Sequence, residues 1–258
     1  MSEDFYRIKR LPPYVFAEVN RLKADYRSKG VDIIDFGMGN PDMDTPHHIV
    51  EKLVQTVRKS RTHRYSSSKG INGLRKAQAR YYKNRFDVAL DPEREIIATL
   101  GSKEGLANLA MAITAPGDVM LVPNPSYPIH PYGFMIAGGT LRHLPTLHDG
   151  KFKPEEYMQS LSRAVAHSVP KPVALVVSFP SNPTAQLCDI DFYKELISFA
   201  KKNNLWILSD LAYAEIYFDG NPPPSILQVN GAKEVAVEFT SLSKTFSSIF
   251  FSEASFLV

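Results

Sequence analysis

The stretch VALVVSF (173–179), followed by a helical segment over 190–203 and then by LWILS (205–209), decides the class of fold. The outer two are apolar runs of strand length. Between them Phe192, Leu196, Phe199 and Ala200 recur on one face of a helix. Continuous apolar strands separated by helices argue for a parallel sheet covered on both sides. The rhythm extends outward from about residue 93. Glu95–Leu100, Val119–Val122 and Val235–Thr240 read as further strands, and segments 102–115 and 154–167 as helices. The expectation is an α/β fold, a mostly parallel sheet flanked by helices on both faces. Ligands of such sheets bind beyond the carboxyl ends of the strands. The residues that follow each strand therefore carry the functional reading.

Before residue 93 the pattern is weaker. Residues 1–30, with Pro12-Pro13, read as an N-terminal arm and a short helix. Val31–Phe36 reads as a short strand running into a tight turn at Gly37-Met38-Gly39-Asn40-Pro41. Thr45-Pro46 reads as a helix start, with Thr45 as N-cap and Ile49, Leu53 and Val57 on one face. Composition removes several classes of function. The chain has 258 residues, 30 basic against 27 acidic, and 44% hydrophobic residues. A net charge of +3 with dispersed basic residues does not suggest a nucleic-acid surface. No apolar run approaches the ~18 residues of a membrane span. The start, MSEDFYRIKRLPPY, lacks the apolar core of a signal peptide. Cys188, the one cysteine, excludes an internal disulfide and a cysteine-cluster metal site. His47-His48-Ile49-Val50-Glu51 is not H-E-x-x-H, and reads as a helix first turn rather than a zinc site. A cytoplasmic protein without a metal is expected.

Each strand is followed by a suggestive segment with a blander alternative. After Glu95–Leu100, Gly101-Ser102-Lys103-Glu104-Gly105 opens a helix whose N-terminus can hold a phosphate, or is simply capped by Ser102. After Val119–Val122, the loop PNPSYP (123–128) carries Tyr127, able to cover a flat ligand or to pack on the prolines. After Val173–Phe179 comes PSNPT (180–184), where Asn182 can donate to a ligand oxygen or merely shape an Asn-Pro turn. Asp210 ends a strand, where a carboxylate meets a cation or caps a helix, and Tyr213 follows three residues on. After Val235–Thr240, SLSKT (241–245) places Lys244 among hydroxyls, as an imine-forming amine or a surface lysine. Together these make a phosphate cradle, a ring cover, two donors, a carboxylate and a lysine, which is what pyridoxal 5′-phosphate requires.

The motifs GNPD (39–42), HRYSSSKGINGLR (63–75), GSKEGLANL (101–109), VPNPSYPIHPYG (122–133), SFPSNPTAQ (178–186), SDLAYAEIYFDG (209–220) and SLSKTFS (241–247) carry a family resemblance. In this order the set resembles the class I/II aminotransferases of the fold-type I pyridoxal-phosphate enzymes. Its details are most similar to bacterial alanine (glutamate–pyruvate) aminotransferases, with the LL-diaminopimelate aminotransferases close by. The resemblance implies amino transfer between an amino acid, alanine above all, and a 2-oxo acid such as 2-oxoglutarate or pyruvate. LL-diaminopimelate, aspartate or aromatic donors are the alternatives, as is a non-catalytic cofactor-binding fragment. It further implies that Lys244 binds the cofactor as a Schiff base and shuttles the substrate proton. Asp210 would meet the pyridine nitrogen, Asn182 and Tyr213 the phenolic oxygen, and Tyr127 the ring face. Gly101, Ser102, Lys103 (through its backbone N–H), Ser241 and Ser243 would hold the phosphate. Tyr65 would reach the phosphate of the neighbouring subunit in a homodimer. Gly39 and Asn182 would border the substrate.

The resemblance divides the chain into an N-terminal arm and small-domain segment, 1–45, and a cofactor-binding large domain, 46–258. It breaks after about residue 247. Where the family continues with AGWR-x-G, this sequence reads SIFFSEASFLV (248–258), so neither the phosphate arginine nor the substrate-carboxylate arginine is expected. The expectation is a large domain without its C-terminal small domain, impaired in activity. The final FLV (256–258) resembles a family strand and is expected to enter the sheet.

Overall fold

The computed structural model describes residues 5, 9, 11–37, 41, 43–65, 67–247 and 254–257. The chain separates into two units, Met1–Met43 and Asp44–Val258. In the first, helix α1 (Val15–Ser28) buries none of its residues. Exposed ion pairs lace it, Arg21 reaching Glu18 and Asp25 at 3.2 Å each. Val31–Phe36 forms no strand. Ile34 and Phe36 are exposed, and no described strand pairs with this segment, so its apolar character lacks the hydrogen-bonded neighbour that makes a strand.

The second unit is a seven-stranded sheet with helices on both faces. In chain order it comprises α2 (His47–Val57), α3 (Asn72–Phe86), β1 (Ile96–Thr99), α4 (Ser102–Ile113), β2 (Val119–Asn124), α5 (Ile129–Ala137) and β3 (Thr140–Pro145). There follow α6 (Pro154–Ala166), β4 (Pro172–Ser178), α7 (Ile190–Asn203), β5 (Trp206–Asp210), β6 (Ala236–Ser241), the single turn α8 (Leu242–Thr245) and β7 (Ala254–Leu257). The order across the sheet is β1-β7-β6-β5-β4-β2-β3. Strands β3, β2, β4, β5 and β6 are mutually parallel. β7 runs antiparallel between β1 and β6, with Phe256 opposite both Ile97 and Phe239. Phe256 and Leu257 thus enter the sheet as the sequence suggests, and Val258 lies outside the described residues.

Period-two alternation sorts each strand's side chains to one face or the other. Leu121, Leu175, Val177 and Ile207 face a cluster built with Tyr82, Leu161 and Leu196 from α3, α6 and α7. Their neighbours Met120, Val122, Val176 and Leu208 face a second cluster, with Leu106 of α4 and Phe134 of α5. Helix α7 starts where Asp189 accepts the N–H of Phe192 at 2.8 Å, and stops at Asn204, which takes the left-handed conformation. Gly105 lets α4 lie close on the sheet, for a Cβ there would stand 3.0 Å from Thr99 Oγ1 and 3.4 Å from the Phe239 ring.

Glu238 interrupts the apolar run of β6. It is fully buried on the α3 side of the sheet. Its carboxyl accepts from Tyr82 OH at 3.0 Å, Ser209 OH at 3.1 Å, the Ser225 hydroxyl at 2.5 Å and the Ile226 N–H at 3.1 Å. Burial pushes its pKa up to about 7 against the opposing pull of these donors. Thr45 does not cap α2. Its hydroxyl donates to the Ser247 carbonyl at 2.9 Å, and the helix starts after Pro46 without a side-chain cap.

Candidate active site at the carboxyl edge of the sheet

β1 runs in the same sense as the five parallel strands, so the carboxyl ends of six strands share one edge. At its centre β5 delivers Asp210, 7% exposed. Asp210 Oδ2 lies 2.9 Å from Nε2 of His130, a fully buried residue in the first turn of α5. The carboxylate can only accept, so His130 Nε2 carries the shared proton. Oδ1 is buried without a hydrogen-bond partner among the described residues. An unmet buried carboxylate oxygen is costly, and it marks the direction from which a donor completes the site.

The loops after β4 and β5 meet beside this acid. Asn182 Nδ2 donates to the Tyr213 hydroxyl at 3.2 Å. The Asn182 loop is tied to itself, the Ser181 hydroxyl accepting the Gln186 N–H at 2.8 Å. Gln186 Oε1 in turn accepts from Phe152 N at 2.9 Å. Burial pushes the Tyr213 phenol above its ordinary pKa, the Asn182 amide opposes, and the nearness of Asp210 and then Tyr127 adds to the rise. Tyr127, in the loop after β2, stands edge-on to His130, with ring centroids 6.1 Å apart.

The remaining residues come from β1 and β6. Gly101, at φ 93° and ψ 149°, precedes α4 in a conformation that side chains resist, and brings Ser102 and Lys103 into its first turn. The first N–H groups of a helix have no intrahelical acceptor, and its dipole favours an anion there. Lys103 Nζ lies 5.3 Å from the Tyr127 ring centroid. After β6, the Ser241 hydroxyl oxygen accepts the Ser243 N–H at 3.2 Å and caps the single turn that carries Lys244. Burial first, and the charge of Lys103 second, lower the Lys244 pKa. Among the described residues no carboxylate pairs with that amine. A lysine held toward its neutral form is a better nucleophile.

Contacts and electrostatic proximity thus link Asn182, Tyr213, Asp210, Tyr127, Lys103 and Lys244. Tyr65 is fully exposed. Gly39 lies outside the described residues. His130 was not among the residues expected at the site. Its signal was the PSYPIH string itself, three positions beyond the candidate ring cover. His47 opens α2 exposed to solvent, its ring 4.0 Å from Glu51 one turn on. No helix among the described residues is long and apolar enough to cross a membrane.

With this geometry established, comparison with known proteins decides the family. The sequence model for "Aminotransferase class I and II" matches residues 31–249. The chain belongs to the class I and II aminotransferases. AatC of Rhizobium meliloti (strain 1021), whose name marks it as a candidate aminotransferase, is 62% identical over 95% of this chain and 59% of its own length. Glutamate-pyruvate aminotransferase AlaC of Escherichia coli (strain K12) is 50% identical over 94% of this chain and 58% of its own. A solved aspartate aminotransferase double mutant of Thermus thermophilus superposes with a TM-score of 0.88 at 28% identity, over 98% of this chain and 64% of that one. The chain spans about three fifths of the length of the curated relatives it matches.

Aminotransferases of this class take pyridoxal 5′-phosphate. The residues at the sheet edge fit that group on their own chemistry. Asp210 has a buried oxygen awaiting a donor. Asn182 and Tyr213 form a donor pair beside it. Lys244 is an amine of lowered pKa, and the start of α4 suits an anion.

Proposed function

We propose that this chain is the cofactor-binding part of an aminotransferase that exchanges amino groups between alanine and 2-oxoglutarate, with pyridoxal 5′-phosphate attached through Lys244. The observation that carries the reading is Asp210, buried at the end of β5, braced by His130 on one oxygen and unmet on the other. The cofactor, when bound, supplies an aldehyde carbon that exchanges amines and a pyridinium ring that accepts electrons.

This chain's residues do the rest. Asp210 would keep the ring nitrogen protonated, and His130 holds its carboxylate in place for that task. Asn182 and Tyr213 would donate to the phenolic oxygen, and Tyr127 would cover the ring and exclude water. Gly101, Ser102, Lys103, Ser241 and Ser243 would grip the phosphate through the α4 N-terminus and the two hydroxyls. Lys244, its amine freed when substrate binds, would carry the proton from the substrate Cα to the cofactor C4′. Gly39 and Asn182 would border the substrate, and Tyr65, facing solvent here, would serve the other subunit of a homodimer. In this reading residues 46–258 are the large domain and 1–45 the arm and small-domain segment, a division supported by the separation into units at Met43 and Asp44. The cytoplasmic placement belongs to the same reading, supported by a single cysteine and an ordinary charge balance.

Titration of the purified chain with pyridoxal 5′-phosphate, followed by addition of amino acids, tests this. The expected result is a yellow band that alanine bleaches only slowly, in keeping with an impaired chain, yet faster than aspartate or LL-diaminopimelate do, with release of pyruvate. Absence of the band, or a band indifferent to alanine, overturns the reading.

A further inference from the structure

Tyr213 stands on a turn that is fastened from outside the site. Where the chain leaves β5, the Leu211 N–H donates to the Phe239 carbonyl at 2.8 Å, so the sheet fixes the start of the turn. Its far end is gripped by α3. Arg85 Nε donates to Glu215 Oε1 at 3.1 Å, and the same carboxylate oxygen accepts from the Tyr81 hydroxyl. Arg85 also donates to the carbonyls of Ala214 at 3.1 Å and Pro223 at 3.4 Å. Its guanidinium lies 4.6 Å from the Phe86 ring centroid and 5.6 Å from that of Tyr217. One side chain thus gathers positions 214, 215, 217 and 223 around the turn. The ion pair is largely shielded, with side-chain exposures of 18% and 22%. In such surroundings a planar guanidinium with several acceptors fixes geometry in a way an exposed pair does not.

The consequence reaches the site through two residues of backbone. The Asn182–Tyr213 bond, at 3.2 Å, already lies toward the long end for a side-chain hydrogen bond, so a small shift of the turn removes it. The Asn182 loop has its own latch in Gln186, independent of the contacts that hold the Tyr213 turn. We propose that Arg85 and Glu215 are positioning residues that hold the Tyr213 hydroxyl against Asn182, and so set how strongly this pair stabilises the cofactor's phenolic oxygen. The inference rests on the reading of Tyr213 as a donor to that oxygen.

Arg85→Met keeps the aliphatic stem over Phe86 and removes the guanidinium. Glu215→Gln keeps an acceptor and removes the charge. Two measurements on these variants, beside Tyr213→Phe and the wild type, decide the matter. The first is the pH midpoint of the visible band of the pyridoxal-phosphate-loaded chain. Weaker donation to the phenolic oxygen raises this midpoint, by about 0.5–1 pH unit in Arg85→Met, less in Glu215→Gln, and in the same direction as Tyr213→Phe. Lys233→Met, which removes the Lys233–Glu95 pair at 2.9 Å, is the control for lost stability. It leaves the midpoint in place at an equal drop in Tm. The second is amide hydrogen exchange without cofactor. The Ala214 and Ile216 N–H groups, bonded to Leu211 and Tyr213 carbonyls, exchange about tenfold faster in Arg85→Met after correction for global stability. A midpoint in Arg85→Met that matches the wild type overturns the proposal. If the wild-type chain forms no band at all, the functional reading fails separately. The exchange measurement then decides alone, and unchanged protection at Ala214 and Ile216 overturns the positioning role.

Discussion

Asp210 and Glu238 stand on neighbouring strands, both buried, and the fold treats them in opposite ways. Glu238 lies in the middle of β6, where two hydroxyls from the turn and strand beside it, a phenol from α3 and a backbone N–H satisfy it from within the chain. Asp210 lies at the end of β5, where one oxygen meets His130 and the other meets nothing described. A buried acid whose partners all come from the fold serves stability, because its donors are lost to solvent only when the chain unfolds. A buried acid left one donor short costs stability, and what completes it comes from outside. The difference separates structural from functional carboxylates where burial alone does not.

The largest effect that sharpens this contrast is expected from Glu238→Ala. It strands four donors in the core, and urea unfolding should show a loss of about 3–5 kcal/mol. An equal loss in Asp210→Ala would erase the distinction, since that acid has one partner to strand. The next effect is a pH dependence. Glu238 has its pKa raised from 4.5 to about 7 by burial, so the folded chain keeps a proton there that the unfolded chain has released. Stability from this group is full below pH ~4.5 and declines as pH rises toward ~7. Relative to Glu238→Gln, which does not titrate, the wild type should lose about 3 kcal/mol across that window. A wild-type advantage that grows with pH would refute the assignment.

Asp210→Ala should act on binding. In the proposed role of Asp210 as charge-assisted partner of the ring nitrogen, its loss should weaken pyridoxal 5′-phosphate by about 1.5–3 kcal/mol, or ~10–150-fold in Kd, in a spectrophotometric titration. Unchanged affinity would return Asp210 to the structural class. The smallest effect is expected from Asn182→Ala, which removes one neutral donor beside the ring and should cost about 1 kcal/mol in the same titration.

The contrast also measures how much was readable in advance. The five strands and the three helices that alternate with them were legible because the interior of such a sheet is largely apolar, and the alternation with helices is unmistakable in 173–209; α1 and α2 were also expected as helices. β3 was missed because it is an edge strand. Its TLRHLP carries exposed Arg142 and His143, and only Leu144 is buried. Val31–Phe36 misled in the other direction, since apolar composition says nothing about whether a partner strand exists. At the site, Asp210 was legible because it ends a strand, and Asn182, Tyr213 and Lys244 because they lie in the short segments that follow strands. His130, Arg85 and Glu215 were not, because their roles depend on contacts across 80 and 130 positions of sequence. Glu238 was hidden likewise, with donors 156, 29, 13 and 12 positions away.

The central claim is that the sheet edge gathers a pyridoxal-phosphate site whose attachment point is Lys244. Borohydride reduction of the chain loaded with pyridoxal 5′-phosphate, followed by peptide mapping, tests it most directly. The account predicts a pyridoxyl group on Lys244 in the wild type, a smaller yield at that position in Asp210→Ala at limiting cofactor, and none in Lys244→Ala. A label carried by another lysine, or one that persists undiminished in Lys244→Ala, would contradict it.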